Sequence, residues 1–432
     1  MPEFYSFQID GIRWLREHPR ALLADETGTG KTCQALGFIN AEPSIRKVLV
    51  ICPATLKLNW LAEAKLWLRR KLDCFGIVNY ERCRKEVTKA EIMAVDWDLV
   101  ILDECHRAKN RKSSQSKAIL GEKNNPGIIT PIRRRIFISA TPILNRPAEF
   151  WTILNAIRPG EWGSFWAFAK RYCDAHTKEV GWKNPKTVWD ASGASNTGEL
   201  RERLNSIMLR RTKAEVLSEL PAKRRQIIAF DADKSLIKAE STGLLELGWN
   251  LDKLKRTLAA GDIRSLQVPK KFAKIGSLRL DTARAKIPFA VEHIKDLMEG
   301  CPKLVVFAHH HEVTDALAES LREYRPVVLD GRTPPDQRQG IIEKFQHDES
   351  TRLFIGGIHA AGLGITLTAA SHVVFVELDW TPAIMAQAED RLHRIGQKGA
   401  VLVQYLVFDG TIDARIAEVL VSKQDTIERI VG

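Results

Sequence analysis

Six short, continuous apolar runs punctuate the chain: "KVLVICP" (47–53), "DLVILDE" (98–104), "RIFISATP" (135–142), "KLVVFAHH" (303–310), "TRLFIGG" (351–357) and "HVVFVEL" (372–378). Each is followed by a turn or a helical periodicity. Strands buried on both faces and joined through helices build parallel α/β sheets. Three runs fall before residue 145 and three after residue 300, so the pattern predicts two α/β lobes of similar build. The spans between them differ in character. Residues 145–220 are rich in Trp, Phe and Arg and include the polar stretch "WDASGASNTGEL" (189–200). Residues 234–298 read as amphipathic helices carrying many lysines and arginines. Both spans are predicted as helical insertions, at about 145–215 in lobe one (1–217) and about 234–298 in lobe two (218–432). Pro221 lies at the expected boundary, since a residue before proline is pushed out of helix. No tandem repeat or low-complexity tract is present.

Length supports the division, because 432 residues exceed what one hydrophobic core usually serves. The net charge of +12 comes partly in clusters: "RRK" (69–71), "RAKNRK" (107–112), "RRR" (133–135), "LRRTK" (209–213) and "AKRR" (222–225). One such run reads as a solvated face, but the set points to a polyanion, most simply nucleic acid. Seven widely spaced cysteines without a C-x-x-C pair suit a reducing, intracellular setting better than a disulfide framework. No basic-then-apolar leader is expected at the N-terminus, and no apolar run is long enough to span a membrane.

Candidate chemistry begins with "LLADETGTGKTCQAL" (22–36), a strand, a glycine-containing turn and a helix. Gly28 and Gly30 let backbone amides curl around phosphate oxygens at a helix N-terminus. Lys31 would reach the β- and γ-phosphates, and the Thr32 hydroxyl would hold Mg²⁺. The usual loop has a glycine five positions before Gly30, where Asp25 stands. The second element is "VILDECHRAKN" (100–110). Asp103 and Glu104 could be metal and water carboxylates for nucleotide hydrolysis. Cys105 and His106 could instead mark a metal site or a cysteine nucleophile, but no further ligands or partners stand nearby in sequence. The phosphate loop favours the acid pair. Cys105, beside Glu104, is expected to make the activity sensitive to thiol modification. "SAT" (139–141) ends a strand with hydroxyls. In "QAEDRLHRIGQ" (387–397), a helical reading puts Gln387, Arg391 and Arg394 on one face, as a surface ion-pair helix or as arginines stabilising transition-state charge. Trp162, Trp166, Trp182 and Trp189 could stack on unpaired bases or pack the insertion onto its lobe.

In order and wording these motifs resemble the SWI/SNF-type ATPases of helicase superfamily two, from Phe7 to about Arg415. "FQIDGIRWL" looks like that family's Gln motif and "DETGTGKT" like its first motif, which itself carries Asp at the position of Asp25. "VICPATLKLNW" and "IVNYE" correspond to motifs Ia and Ib, "DECH" to a DEAH-like box and "FISATPILNRPAEFWTILNAIRPG" to motif III. "LDGRTPPDQRQGIIEKFQ", "AAGLGITLTAA" and "QAEDRLHRIGQ" match the second lobe. Within the family, "RYCDAH", "MLRRTKAEVLSELPAKRRQI" and "YLVFDGTIDARI" are most similar to the annealing-helicase (HARP-type) branch.

The resemblance implies two tandem RecA-like lobes and an ATP-dependent double-stranded DNA translocase that remodels or anneals branched DNA or protein–DNA complexes. A strand-separating helicase of the same superfamily is the alternative. It further implies ATP and Mg²⁺ as cofactors. Phe7 and Gln8 would lie against adenine, with Gly28, Thr29, Gly30, Lys31, Thr32, Gly364 and Gln387 around the nucleotide. Lys31, Asp103, Glu104, Arg391 and Arg394 would be catalytic, and Thr32 and Asp103 would hold the metal. His106, Ser139 and Thr141 would couple the site to DNA, which Pro53, Thr55, Asn79, Tyr80, Thr366 and Thr368 would contact. Several positions depart from the family pattern: Thr27 and Thr29 stand for the usual Met and Leu, Cys105 for Ala or Ser, and Gly357 and His359 where relatives mostly carry hydroxyl residues or arginine. The chain is expected to act as a monomer on duplex or branched DNA, in the cytoplasm of a prokaryote or the nucleus of a eukaryote.

Overall fold

A computed structural model describes residues 3–122, 125–140, 147–180, 186–217, 219–259, 269–361 and 365–420. The chain divides between residue 218 and Glu219 into two compact units.

Unit one is built on β1 (Arg20–Leu23), β2 (Lys47–Cys52), β3 (Cys74–Asn79), β4 (Leu99–Asp103), β5 (Arg134–Ile138) and a short β8 (Met208–Leu209). They form one parallel sheet in the order β3-β2-β4-β5-β1-β8. The continuous apolar runs follow from burial on both faces. Leu99 and Ile101 enter one apolar cluster with Phe38 and Trp60, while Val100 and Leu102 enter another with Phe137 and Phe150. Successive side chains of a strand point to opposite faces, so every position of β4 is apolar until Asp103 at its end.

Unit two repeats the plan with β9 (Lys223–Phe230), β10 (Leu304–Ala308), β11 (Val327–Leu329), β12 (Leu353–Gly357), β13 (His372–Phe375) and β14 (Val401–Phe408). Its parallel order is β11-β12-β10-β13-β14-β9. Val305 and Phe307 face one cluster, and Leu304 and Val306 face the other. Six strands appear where apolar runs predict them. β9 does not announce itself, because "KRRQIIAF" opens on charge and is exposed along much of its length. It nevertheless pairs with all eight residues of the buried β14.

The helical reading of 145–215 needs correction. Helices Trp151–Ile157, Phe165–Tyr172 and Thr197–Leu204 are present. They are joined by an antiparallel hairpin of β6 (His176–Val180) and β7 (Lys186–Asp190), and the span ends in β8, which pairs with β1. The β-branched residues of "HTKEV" and "KTVWD" favour pleated backbone over helix. In the second span, helices Lys234–Glu246, Leu251–Ala259 and Pro269–Gly300 agree with the expectation. Trp162 is buried, Trp166 and Trp189 are exposed, and Trp182 lies outside the described residues.

Several basic runs turn inward. Arg135 is buried and donates to the carbonyls of Ile132, Thr130 and Ala156 at 2.7, 2.8 and 3.1 Å. Arg70 donates to the carbonyls of Ile39, Glu42 and Ile45. These guanidiniums bind backbone carbonyls at helix ends and in loops instead of facing solvent. Among the described residues no helix is long and apolar enough to cross a membrane.

Unit two also buries a lysine. Lys286 has no exposed side chain and donates to Asp413 and, at 2.8 Å, to the Leu406 carbonyl. Breaking a buried pair strands a charge and costs about 3–5 kcal/mol, whereas replacing both partners by apolar residues is often neutral. Lys286→Met should therefore lower the denaturation midpoint strongly, and Lys286→Met with Asp413→Leu should recover most of the loss in urea titration.

Candidate nucleotide site

The phosphate loop connects β1 to helix Lys31–Ala41. Gly28 (φ +87°) and Gly30 (φ +79°) both hold left-handed backbone. A Cβ on Gly30 would stand 2.5 Å from Gln8 Nε2 and 2.9 Å from Cys33 Sγ, so a side chain is excluded by space as well as by torsion. No described side chain caps this helix, and its first amides face the loop as anion donors. Lys31 Nζ donates to the carbonyls of Asp25 and Glu26 at 2.7 and 2.9 Å. Burial lowers its pKa to about 8, opposed by the charges of Asp25, Glu104 and Asp103. Thr29 is buried with its hydroxyl on the Glu26 carbonyl (2.8 Å), and Thr32 is half-buried.

The structure explains Asp25, the residue in place of the expected glycine. It is fully buried and paired with Arg211 (Nη2–Oδ2 2.5 Å), and it accepts from the Gln34 amide (3.1 Å) and the Arg211 backbone N–H (3.0 Å). Arg211 also donates to Gln34 Oε1 and to the Phe7 carbonyl, and its guanidinium lies over the Phe7 ring. Beside it, Arg210 donates to the carbonyls of Ala24 and Ala140. The arginines of "LRRTK" are thus committed to the nucleotide site, so this run is not the solvated face that it suggests when read alone, and it drops out of the set that points to a polyanion. Gln8 is buried, with Nε2 on the Thr29 carbonyl (3.1 Å) and Oε1 accepting from the Tyr5 amide (3.0 Å). The Gln motif is therefore hydrogen-bonded to the phosphate loop itself.

The acid pair sits where β4 ends. Asp103 is buried, accepting from Trp60 Nε1 at 2.8 Å and from the Glu104 amide at 2.9 Å. Glu104 holds φ +52°, a conformation that costs a non-glycine residue energy and aims its carboxylate off the strand line. Burial and then the Glu104 charge push Asp103 up to about 7, against the Trp60 hydrogen bond and Lys31. His106 Nδ1 lies 3.1 Å from Ser139 Oγ and 3.3 Å from Glu104 Oε2, and burial drives its pKa down to about 3, so the imidazole is neutral. Cys105 is fully buried and its thiol pKa is raised, which overturns the expectation of easy thiol modification.

Tyr80 requires a further correction. It is fully buried, and its hydroxyl donates to the Asp103 carbonyl at 2.8 Å, so it supports the acid strand instead of facing DNA. Pro53 is buried, Asn79 is half-buried with Nδ2 on Glu81 (3.0 Å), and Thr55 is exposed.

In unit two the helix of "QAEDRLHRIGQ" stops at Glu389, so Arg391 and Arg394 lie in the following turns and do not share a helical face. They converge by another route: Arg391 Nη1 and Arg394 Nη1 both donate to the Ile365 carbonyl, at 3.4 and 3.0 Å. Arg391 is buried and also donates to the carbonyl of the buried Gln387 (2.9 Å). The turn is fixed by Glu389, which pairs with Lys223 (3.0 Å) and Arg225 (2.7 Å) and accepts from Tyr405, while Asp390 takes Lys223 at 2.9 Å. "AKRR" therefore supplies counterions for the arginine-bearing turn. Thr366 is half-buried, and Thr368 accepts from Gln346 (3.2 Å). Thr141 and Gly364 lie outside the described residues. Sequence reasoning missed Trp60, Tyr80 as a support, Arg211 and the Glu389 cluster; only the family motif's Asp at position 25 hinted at a buried partner.

A lobe with a phosphate loop and buried acid pair, followed by a second parallel-sheet lobe with converging arginines, defines a two-lobed RecA-like protein of the phosphate-loop class. Residues 7–78 and 74–241 match the SNF2-related domain, and residues 288–396 match the helicase conserved C-terminal domain. The first match covers more than half of the chain, which belongs to the SNF2-related family. The chain is 35% identical over 435 residues to the DNA annealing helicase and endonuclease ZRANB3 of Mus musculus, covering 94% of this chain and 39% of that protein. It is 34% identical over 425 residues to the SWI/SNF-related matrix-associated actin-dependent regulator of chromatin subfamily A-like protein 1 of Xenopus tropicalis, covering 94% and 43%. The chain thus spans about two-fifths of the length of these relatives. The SWI2/SNF2 ATPase core of Sulfolobus solfataricus in complex with dsDNA aligns with a TM-score of 0.45 at 23% identity, covering 100% of this chain and 93% of that one.

The raised pKa of Asp103 carries a sign that can be checked. Between about pH 4 and 7 the folded protein retains a proton that the unfolded chain releases, so ionisation of this group weakens folding as pH rises through that window. Glu104→Gln removes the neighbouring charge and should lower the midpoint of Asp103 in a ¹³C carboxyl NMR titration. An unchanged midpoint would show that burial alone sets it.

Proposed function

We propose that this chain is an ATP-dependent double-stranded DNA translocase of the SWI/SNF type, coupling hydrolysis to remodelling or annealing of branched DNA or protein–DNA complexes. The observation that carries the reading is the pair of buried Asp103 and half-buried Glu104 at the end of β4, in the electrostatic field of Lys31 at the phosphate loop. The site fits ATP with Mg²⁺. Two adjacent carboxylates in a desolvated setting disfavour double ionisation, and a divalent cation supplies the charge that offsets it. Thr32 and Asp103 would hold that cation.

The chain's own residues divide the remaining work. Amides around Gly28 and Gly30 receive phosphate oxygens, and Lys31 exchanges its loop carbonyls for the β- and γ-phosphates. Glu104 orients and deprotonates the attacking water. Neutral His106, between Glu104 and Ser139, relays the state of the acid pair to the strand end that follows β5. Arg391 and Arg394 stabilise charge on the transferring phosphoryl group; an arginine in this role contributes roughly 10³–10⁵ in rate. DNA is held mainly through phosphates. The relatives' printed names, a DNA annealing helicase and a chromatin-regulator-like protein, agree with DNA as the polymer acted on, and the family assignment supports translocation over strand separation.

Glu104→Gln should reduce DNA-stimulated ATP hydrolysis by about 10³-fold or more while leaving nucleotide affinity near wild type. Turnover at the wild-type rate in that variant would sink the assignment. Triplex displacement without unwinding of a blunt duplex is expected, and efficient strand separation would favour a helicase. DNA affinity should fall with salt at a log–log slope of about −0.9 per phosphate neutralised, measured by fluorescence anisotropy; binding indifferent to salt would refute a phosphate-directed groove.

A further inference from the structure

Three side chains at one edge of the unit-two sheet are unused by this mechanism. His309 follows β10, His359 follows β12 and Asp379 lies beyond β13; β12, β10 and β13 are neighbours and run parallel. Their C-terminal ends therefore deliver two imidazoles and a carboxylate to the same place. One ligand atom from each lies within 4.8 Å of the others. His359 Nε2 is 2.9 Å from Asp379 Oδ2, and the His309 and His359 rings meet edge to face with centroids 5.7 Å apart. The geometry points to a divalent transition-metal site, with Zn²⁺ the cation it suits best and water or a ligand completing the sphere.

The donor set is the first reason. Two imidazole nitrogens and one carboxylate oxygen form a three-ligand zinc set with an open fourth position. Preorganisation is the second. Asp379 is buried, and its Oδ1 accepts from the Thr381 amide at 2.8 Å, which leaves Oδ2 directed at His359. Neither ring nitrogen of His309 has a hydrogen-bond partner among the described residues; only its backbone amide is engaged, with Glu377 at 2.8 Å. Bonds of about 2.0–2.2 Å put tetrahedral ligand atoms about 3.4 Å apart. His359 and Asp379 already stand 2.9 Å apart, so the sphere closes by a small approach of His309 from within 4.8 Å.

Charge nearby is mixed. Arg279 donates to the Leu378 carbonyl and opposes a cation, while Asp379 and the buried Glu377 favour one. Glu377 is itself committed to His310, at 2.6 Å from Nδ1, and so positions the loop that carries His309 without joining the ligand set. The inference is independent of the ATPase assignment.

The test uses the full chain, stripped with chelator and titrated with Zn²⁺ against a chromophoric competitor, with Co²⁺ absorption reporting coordination number. One equivalent should bind and raise the melting temperature. His359→Ala, an exposed change, should weaken binding by more than the roughly 10–100-fold that loss of a ligand's hydrogen-bond partner costs. His309→Ala should do the same. His311→Gln, in the adjacent His311–Asp330 pair, should leave it unchanged. Binding that survives both His309→Ala and His359→Ala, or that is lost in His311→Gln, would overturn the site. No saturable binding at all would leave His359–Asp379 as an ion pair only and would equally overturn it.

Discussion

The buried ion pair between Asp25 and Arg211 joins residues 186 positions apart, and the nucleotide site of unit one is assembled around it. Arg211 follows β8, the last strand added to the sheet, yet its guanidinium reaches the phosphate loop, the helix residue Gln34 and the carbonyl of Phe7. A buried pair adds little net stability, because desolvation offsets Coulomb attraction, but losing one partner strands a charge. Its value here is geometric. It holds the loop's start against the sheet, while the glycines and the Gln8 and Thr29 hydrogen bonds shape the rest.

The same device recurs in unit two with the same polarity. There the edge strand β9 contributes Lys223 and Arg225, and the carboxylates Glu389 and Asp390 lie on the segment that carries Arg391 and Arg394. In each unit the strand at the end of the sheet order delivers basic side chains to the segment that carries the chemistry. Two of the five basic clusters, "LRRTK" and "AKRR", are explained by that role.

Legibility followed the physics of each feature. Strands buried on both faces write themselves as continuous apolar runs, so β2, β4, β5, β10, β12 and β13 could be read directly. β9 could not, since its pairing with β14 supplies the order that its own charged opening residues do not suggest. The hairpin β6–β7 was hidden by the aromatic and basic composition around it. For the site, Gly28, Gly30, Lys31, Asp103 and Glu104 stood out because backbone torsion and phosphate chemistry restrict the residue types. Tyr80 was misplaced: nothing local says whether a tyrosine after a strand faces solvent or, as here, hydrogen-bonds the backbone behind an acid pair. The helical periodicity of 387–397 misled for a related reason: the helix stops at Glu389, where ion pairs from β9 and the Gln397 amide, donating to the Ala370 and Leu392 carbonyls, hold a turn instead.

The sequence by itself determined two parallel-sheet lobes, a phosphate loop and an acid pair, because short-range rules of burial, torsion and ligand type govern all of them. Tertiary structure decided which charges face inward, how Asp103 comes to hold its proton to about pH 7, and which histidines meet at one sheet edge. Those outcomes depend on desolvation and on partners tens to hundreds of residues away, which only the assembled sheet order brings within reach.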